Sequence, residues 1–319
     1  MTAPIVRIAS RGSPLALTQA RLAREALARA HGWNRTMLDE LCPILTFITG
    51  GDRNQDRALA EIGGKGLFAK EIEDALIEDQ ADIAVHSMKD MPGVQPAGLH
   101  LAAILKREDP RDVFVGRNGA FADLLRGAKI GTSSVRRKAQ ALRRRPDLEV
   151  VPLRGNVETR LAKLMRGEVD GTFLARAGLT RLNIEPSGAE ILDPEDWLPA
   201  LGQGAIGIEI RSQDGHAAAL VAPIDDRVSH LALSCERGFL AALDGSCRTP
   251  LAGLAELADG TLRFRGEVLS LDGQNCWTVS RQMPAGATID DAATRLAYAM
   301  GEDAARDVRA QAGAQFPQF

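Results

Sequence analysis

Residues 5–15 read IVRIASRGSPL, and they predict a strand that is followed at once by a helix. The apolar run at residues 5–9 is typical of a strand. Ser13 is a good N-cap residue, and Pro14 suits the first helical position. Apolar residues then recur at the helical period over residues 15–30. A strand that leads directly into a helix is the basic unit of an α/β domain.

The same alternation continues over the first two hundred residues. Helices that alternate with strands in this way are expected on both faces of a sheet, so the predicted fold class is α/β. The predicted strands lie at residues 45–49, 82–86, 129–131, 150–153, 171–175 and 205–210, and the predicted helices at residues 67–78, 134–145 and 157–165.

The last ninety residues predict a small C-terminal α+β domain. Helices at residues 229–243 and 288–310 enclose strands that are separated by turns at residues 259–260 and 272–273. Both turns are Asp-Gly pairs, which favour tight hairpins.

We expect three domains, because the strand at residues 205–210 follows a second α/β unit and is expected to return to the first. Two chain crossings between domains 1 and 2 predict a hinge with a cleft beside it. Domain 1 comprises residues 1–106 and 204–224, domain 2 residues 107–203, and domain 3 residues 225–319.

Composition argues against several classes of protein. The 319 residues include 39 basic and 42 acidic side chains, and a net charge of −3 argues against bulk nucleic-acid binding. We find no apolar stretch of about 20 residues and no apolar leader, so we expect a cytoplasmic protein with no membrane partner. The cysteines, Cys42, Cys235, Cys247 and Cys276, are too widely spaced to predict a disulfide framework or a metal site.

Polar and cationic side chains follow five of the predicted strands. Ligands of open α/β sheets bind at the carboxyl ends of the strands. Arginine binds carboxylates and phosphates in a planar, bidentate way, and a helix start offers free N–H groups to an anion. The expected ligand is therefore a polyanion. The residues at these ends are Arg11, Ser13, Gln19, Ser87, Lys89, Asp90, Thr132, Ser133, Ser134, Arg136, Arg137, Arg154, Asn156, Arg160, Arg176 and Arg181.

The run at residues 136–145 offers an alternative, because six of its ten residues are basic and such runs occur in nucleic-acid-binding proteins. The run has no aromatic residue on which a base can stack. We interpret residues 143–145 as the exposed last turn of a helix, where positive charge is favoured. We therefore expect no nucleic-acid partner.

Two residues stand out chemically. Asp90 is acidic among cations, so it is available to stabilise a cation or accept a proton; a salt bridge to Lys89 is an equal alternative. Cys247 lies in a polar turn that contains glycine, and Arg248 favours its thiolate. The residues alone leave open whether this thiol is functional.

Eight segments, in family order, are similar to those of the porphobilinogen deaminase (hydroxymethylbilane synthase) family. Each segment is weak by itself, but the ordered set covers almost the whole chain. The segments are RIASRGSPLAL at residues 7–17, GGKGLF at 63–68, HSMKD at 86–90, REDPRD at 107–112, GTSSVRR at 131–137, LRGNV at 153–157, GQGA at 202–205 and GSC at 245–247.

The resemblance implies a fold and an activity. Domains 1 and 2 are expected to resemble type II periplasmic binding proteins, and the chain is expected to be a monomer. A dipyrromethane cofactor is expected on Cys247 through a thioether. Four porphobilinogen units are joined head to tail onto it with loss of ammonia, and water then releases hydroxymethylbilane.

The resemblance also implies residue roles. Asp90 matches the catalytic aspartate, and residues 50–66 match a mobile lid. Glu61 and Arg176 depart from the usual family residues, and their roles stay open. The implied cofactor-binding residues are Cys247, Ser87, Lys89, Asp90, Thr132, Ser133, Ser134, Arg136 and Arg137, and the implied substrate-binding residues are Arg11, Ser13, Gln19, Phe68, Arg154, Asn156, Arg160, Arg181 and Gln203.

The main alternative is a two-lobed protein that binds an anion without catalysis. It explains the α/β lobes and the arginines, but it leaves Asp90 and Cys247 without a role.

Overall fold

The computed structural model describes residues 5–53, 66–245 and 249–317. Within them the strands are β1 (Ile8–Arg11), β2 (Ile44–Phe47), β3 (Ile83–Ser87), β4 (Leu99–Ile104), β5 (Asp112–Gly116), β6 (Lys129–Gly131), β7 (Glu149–Val151), β8 (Gly171–Ala175), β9 (Ala189–Ile191), β10 (Ile206–Arg211), β11 (Leu251–Ala258), β12 (Thr261–Leu269) and β13 (Cys276–Pro284).

The helices of the same residues are α1 (Pro14–His31), α2 (Leu38–Leu41), α3 (Gly50–Arg53), α4 (Lys70–Ile77), α5 (Val135–Arg144), α6 (Val157–Met165), α7 (Arg176–Arg181), α8 (Gly215–Val221), α9 (Arg227–Ala242) and α10 (Asp291–Ala312). Short 3₁₀ turns connect several of these elements. Among the described residues, no helix is both long and apolar enough to cross a membrane.

Two five-stranded sheets share one topology. The first sheet has the order β2-β1-β3-β10-β4 and the second has the order β7-β6-β8-β5-β9. In each sheet the first three strands are parallel and the fourth, β10 or β5, runs antiparallel to both neighbours. Strand β10 follows β9 in sequence but pairs with β3 and β4 of the first sheet. These matching sheets confirm the predicted α/β fold class.

The third sheet is the antiparallel meander β11-β12-β13, which packs with α9 and α10 in one hydrophobic cluster. The two helices approach closely because glycines lie at their contact. A side chain at Gly238 would collide with the carbonyl of Tyr298, and one at Gly301 would collide with the carbonyl of Cys235. This arrangement confirms the predicted small α+β domain.

Local sequence explains how the first unit forms. Ser13 caps α1 by accepting a hydrogen bond from the Ala16 N–H at 3.3 Å. Gly32 ends the helix with φ +65°, a conformation that suits glycine. The strand begins at Ile8, so the predicted strand at residues 5–9 starts too early. Strands β4, β5 and β9 were not predicted.

Candidate active site

A cleft of about 1030 Å³ lies between the first two sheets, and residues of the third domain line it as well. Although the whole chain is slightly acidic, the described lining is richer in cations than in carboxylates, which favours an anionic ligand. The cationic lining residues are Arg11, Lys89, Arg136, Arg137, Arg154, Arg160 and Lys163, and the acidic ones are Asp52, Asp90, Glu158 and Asp244.

Arg11 and Asp90 meet where β1 and β3 end. The Arg11 Nη1 atom lies 3.7 Å from Asp90 Oδ2, and the Asp90 side chain is one-third exposed (33%). Arg11 also pairs with Asp52 through two contacts of 2.5 and 3.1 Å, and its guanidinium lies 4.3 Å from the centre of the Phe68 ring. Burial opposes the charge of Arg11, but the two carboxylates raise its pKa above the usual value. Asp90 is thus oriented toward the cleft and remains accessible to a ligand.

Lys89 lies deep in the cleft, on the 3₁₀ turn that also carries Asp90. Among the residues that the structure describes, its ammonium forms no ion pair or hydrogen bond. The pKa of Lys89 is lowered to about 8, mainly by burial; Arg137 and Arg160 contribute to the lowering, whereas Asp90 and Asp112 oppose it. An anionic ligand would supply the missing negative charge.

Asp112 lies fully buried behind the cleft and binds two adjacent arginines. Arg136 Nη1 and Arg137 Nη2 each lie 2.7 Å from one of its oxygens. Trp197 Nε1 and Gln203 Nε2 donate to the same carboxylate at 2.9 and 2.8 Å. Burial alone would raise the pKa of Asp112, but the two guanidinium groups hold it well below the usual range. No local pattern in the sequence indicated a role for Asp112 in the site, although it ends the segment at residues 107–112 and begins β5.

Hydroxyl groups organise the start of α5. Ser134 caps the helix by accepting from the Arg137 N–H at 3.4 Å, and the Ser134 N–H donates to Thr132 Oγ1 at 3.2 Å. Ser133 Oγ donates to the Leu153 carbonyl at 3.1 Å. Ser133 and Ser134 line the cleft, whereas Thr132 is buried beneath them.

Helix α6, which lies on the same side of the cleft as α5, carries a further pair of cations. Asn156 caps it by accepting from the Thr159 N–H at 2.8 Å. Arg160 Nε donates to the Gly155 carbonyl at 2.8 Å, and burial together with Arg137 lowers the pKa of Arg160 to about 10. Lys163 lies about one turn further along and also lines the cleft.

Lys163 and Asp52 are site residues that the sequence analysis missed. The three-residue spacing between Arg160 and Lys163 on one predicted helix is a signal that points to Lys163. Asp52 falls inside the predicted lid, and no pattern pairs it with Arg11.

Besides Thr132, three predicted site residues lie outside the main cleft lining. Arg181 donates from Nη2 to the Gly204 carbonyl at 2.6 Å. Gln19 and Ser87 line a small cavity of about 40 Å³ behind Arg11. Their predicted roles as ligand contacts stay predictions.

Gln203 was predicted to bind substrate, and the role of Arg176 was left open; the structure shows where both residues lie. Gln203 lines the cleft and donates to the Pro110 carbonyl at 2.7 Å as well as to Asp112. Arg176 lies outside the cleft lining, near Asp109, whose pKa it helps to lower.

Cys247 lies outside the described residues, as does Glu61 with most of the predicted lid. Gly245 and Thr249, the nearest described residues on either side of Cys247, both line the cleft.

The other cysteines are poor nucleophiles. Cys42 and Cys235 are buried, and burial raises the pKa of both thiols, that of Cys42 to about 12. Burial likewise raises the pKa of Cys276 to about 11. None of the three lines the cleft.

The solved structures compared here are only weakly similar to this chain. A periplasmic VFT2 domain of BvgS from Bordetella pertussis is 14% identical, with a TM-score of 0.40 over 69% of this chain and 86% of that one. A periplasmic binding protein from Salmonella typhimurium is also 14% identical, with a TM-score of 0.39 over 71% of this chain and 94% of that one. The family assignment does not rest on these values.

Sequence comparison is decisive. The family model described as "Porphobilinogen deaminase, dipyromethane cofactor binding domain" matches residues 6–219, and "Porphobilinogen deaminase, C-terminal domain" matches residues 230–305. A "Porphobilinogen deaminase" of Paracoccus denitrificans (strain Pd 1222) is 50% identical over 312 residues, which cover 98% of this chain and 96% of that one. The chain belongs to the porphobilinogen deaminase family, whose members are transferases that make hydroxymethylbilane with a dipyrromethane cofactor.

Proposed function

We propose that the cleft is the active site in which this chain joins four porphobilinogen units head to tail on a primer held by Cys247. The observation that carries the proposal is the excess of cations in a cleft that also holds the accessible carboxylate of Asp90. Each pyrrole unit carries an acetate and a propionate. A lengthening chain therefore accumulates negative charge, which a cationic cleft stabilises.

The described residues fit a dipyrromethane, which bears four carboxylates. Lys89 lacks an anionic contact partner among the described residues, and Arg136 and Arg137 line the same cleft, with Arg137 close enough to lower the pKa of Lys89. We assign these three side chains, with the hydroxyls of Ser133 and Ser134, to the cofactor carboxylates. When bound, the cofactor supplies the terminal pyrrole carbon to which the first substrate unit is joined.

Asp90 has the position and charge for catalysis. Its carboxylate accepts a hydrogen bond from the pyrrole N–H of the substrate, and its negative charge stabilises the cation left on the substrate when ammonia departs. The same carboxylate accepts the proton that the ring carbon loses as the new C–C bond forms. Arg11 Nη1, 3.7 Å from Asp90 Oδ2, helps to hold this carboxylate in place beside the cleft.

The remaining cations are assigned to the substrate carboxylates. Arg11 and Phe68 form one contact surface beside Asp90, and Arg154 and Arg160 form another on the opposite wall. Lys163 extends the second surface by one helical turn. With this assignment, we expect the reacting carbon of the substrate between the two sides of the cleft.

Two observations support the covalent role of Cys247: its described neighbours line the cleft, and the other three cysteines are unreactive. Gly245 and Thr249 both line the cleft, and a chain of two residues spans at most about 7 Å. The thiolate is the reactive form of cysteine, and burial disfavours it in the three other cysteines.

Intact-mass measurement tests this assignment. We expect the purified protein to exceed the mass of the bare chain by one dipyrromethane, and we expect Cys247→Ser to lack the excess. Cys276→Ser, a matched removal of a half-buried thiol, should retain it. Active protein with the mass of the bare chain would contradict the covalent role of Cys247.

The alternative of a non-catalytic anion-binding protein is not favoured, because the family and the 50% identical relative are enzymes. The domain boundaries, the monomeric state and the cytoplasmic location stay predictions.

A further inference from the structure

Asp112 is the centre of a buried hydrogen-bond network that the catalytic proposal does not use. It accepts hydrogen bonds from Arg136, Arg137, Trp197 and Gln203. Arg137 contributes two of them, from Nε at 3.3 Å and from Nη2 at 2.7 Å, and its Nη1 donates to the Phe173 carbonyl at 2.8 Å. All three guanidinium nitrogens of Arg137 are therefore held in one orientation.

The network also joins separate parts of the fold. Arg136 donates to Gln140, and Gln140 donates to Glu267 of the third sheet at 2.5 Å. Gln140 and Arg136 both donate to the Leu198 carbonyl, at 2.9 and 3.2 Å. The orientation of the two arginines is thereby linked to the segment that leads into β10 and to the third domain.

Charge explains why the network needs a carboxylate. Arg136 and Arg137 are adjacent and buried, with side-chain exposures of 5% and 7%, so their guanidinium groups repel each other where water screens them little. Asp112 is completely buried and balances one of the two charges. One net positive charge remains for the cleft that both arginines line.

We propose that Asp112 is a positioning residue, which fixes the guanidinium of Arg137 in the orientation that binds a carboxylate of the cofactor. The inference rests on the proposed function of Arg137. Asp112 itself does not line the cleft.

The test compares cofactor loading among full-length variants by intact mass. We expect Asp112→Asn to lower the fraction of folded protein that carries dipyrromethane by about tenfold, the loss associated with one hydrogen bond to a charged group. Asp82→Asn is the matched control, because Asp82 also holds an arginine, Arg7, through two contacts but lies outside the cleft lining. It should load like the unaltered chain.

The unfolding midpoint separates positioning from folding. Measured in the Cys247→Ser background, it reports the structural effect of Asp112→Asn without the cofactor. A merely structural Asp112 predicts a lower midpoint with normal loading of the folded protein, and that result would overturn the inference. Asp112→Glu, which keeps the charge, should recover part of the loading.

A double-mutant cycle with Arg137→Gln tests whether Asp112 acts through Arg137. We expect the double variant to load no worse than Arg137→Gln alone; independent, multiplying losses would overturn the inference. Normal loading of Arg137→Gln would instead overturn the proposed role of Arg137, so the two failures are distinguishable. If Asp112→Asn does not fold, Trp197→Phe removes one donor to Asp112, and we expect it to lower loading by about threefold; normal loading would overturn the inference.

Discussion

The two main walls of the cleft hold their cations in different ways. On the first-sheet wall, Arg11 contacts two carboxylates that themselves line the cleft, Asp52 and Asp90. On the second-sheet wall, the carboxylate that binds the arginines is Asp112, which lies behind them. Glu158, at the exposed start of α6, is the acidic lining residue of that wall in the described chain.

This difference separates two tasks. The first wall presents both signs of charge to a ligand, which suits proton transfer and stabilisation of a transient cation. The second wall presents mainly positive charge, because its internal carboxylate is out of reach, and this suits the binding of carboxylates. The comparison predicts that damage to the first wall lowers turnover and that damage to the second wall weakens binding.

The largest expected effect comes from Asp90→Asn on the first wall. The substitution keeps the size of the side chain but removes the charge, so kcat should fall by roughly 10²–10³-fold. Cofactor loading by intact mass should be unchanged. Asp39→Asn, which removes an exposed carboxylate that pairs with Arg24, is the control and should leave kcat unchanged. Near-normal turnover of Asp90→Asn would contradict the assignment of catalysis to the first wall.

Arg160→Gln on the second wall should give the opposite pattern. Loss of one charged hydrogen bond to the substrate predicts a KM for porphobilinogen that rises about tenfold, with little change in kcat. Arg166→Gln is the matched control, because Arg166 follows the same helix but is exposed and pairs with Glu168. A large fall in kcat with unchanged KM would assign Arg160 to the chemistry instead.

Lys89 links the two walls and predicts a pH dependence. Its pKa is about 8 without a ligand, and a bound carboxylate raises it. The complex therefore holds more protons than the free protein above pH 8, so binding must weaken as pH rises through that range. Because Lys89 is assigned to the cofactor carboxylates, we expect the fraction of cofactor-free chain that becomes loaded in a fixed time to fall several-fold between pH 8 and 9. Lys89→Arg, which stays charged, should show flat loading over the same range; an equal fall in that variant would remove Lys89 as the cause.

The smallest effect concerns Asn156, which caps α6. Asn156→Ala should cost about 1 kcal/mol of unfolding free energy and lower the melting temperature by a few degrees. The KM of this variant for porphobilinogen should change by less than about twofold, because Asn156 Oδ1 already accepts hydrogen bonds from Thr159. A larger rise in KM would support the predicted contact between Asn156 and substrate.

Local patterns predicted much of the fold. Helix α6 and strand β8 have the predicted bounds, because each has a clear period and a clear stop signal. Strand β5 was missed because it follows directly after the charged, proline-containing segment at residues 107–111, which resembles a linker. Pairing with β8 and β9 defines this strand, and pairing of distant strands leaves no local signal.

The same limit applies to the site. Strand ends and helix starts predicted which residues gather at the cleft, including Arg11, Lys89 and Arg160. They did not reveal Asp112, whose partners lie 24 to 91 residues away in sequence. Whether a cation contacts a ligand or a buried carboxylate depends on such distant pairs.

One measurement tests the central claim that the chain of pyrrole units grows in this cleft while it is attached to Cys247. The purified protein is mixed with a limiting amount of porphobilinogen, quenched and weighed intact. We predict a ladder of equal mass steps, each one porphobilinogen minus ammonia, up to four steps above the resting mass. After proteolysis, every step should map to the peptide that contains Cys247. A resting mass that stays constant while product appears, or steps that map to another peptide, would contradict the account.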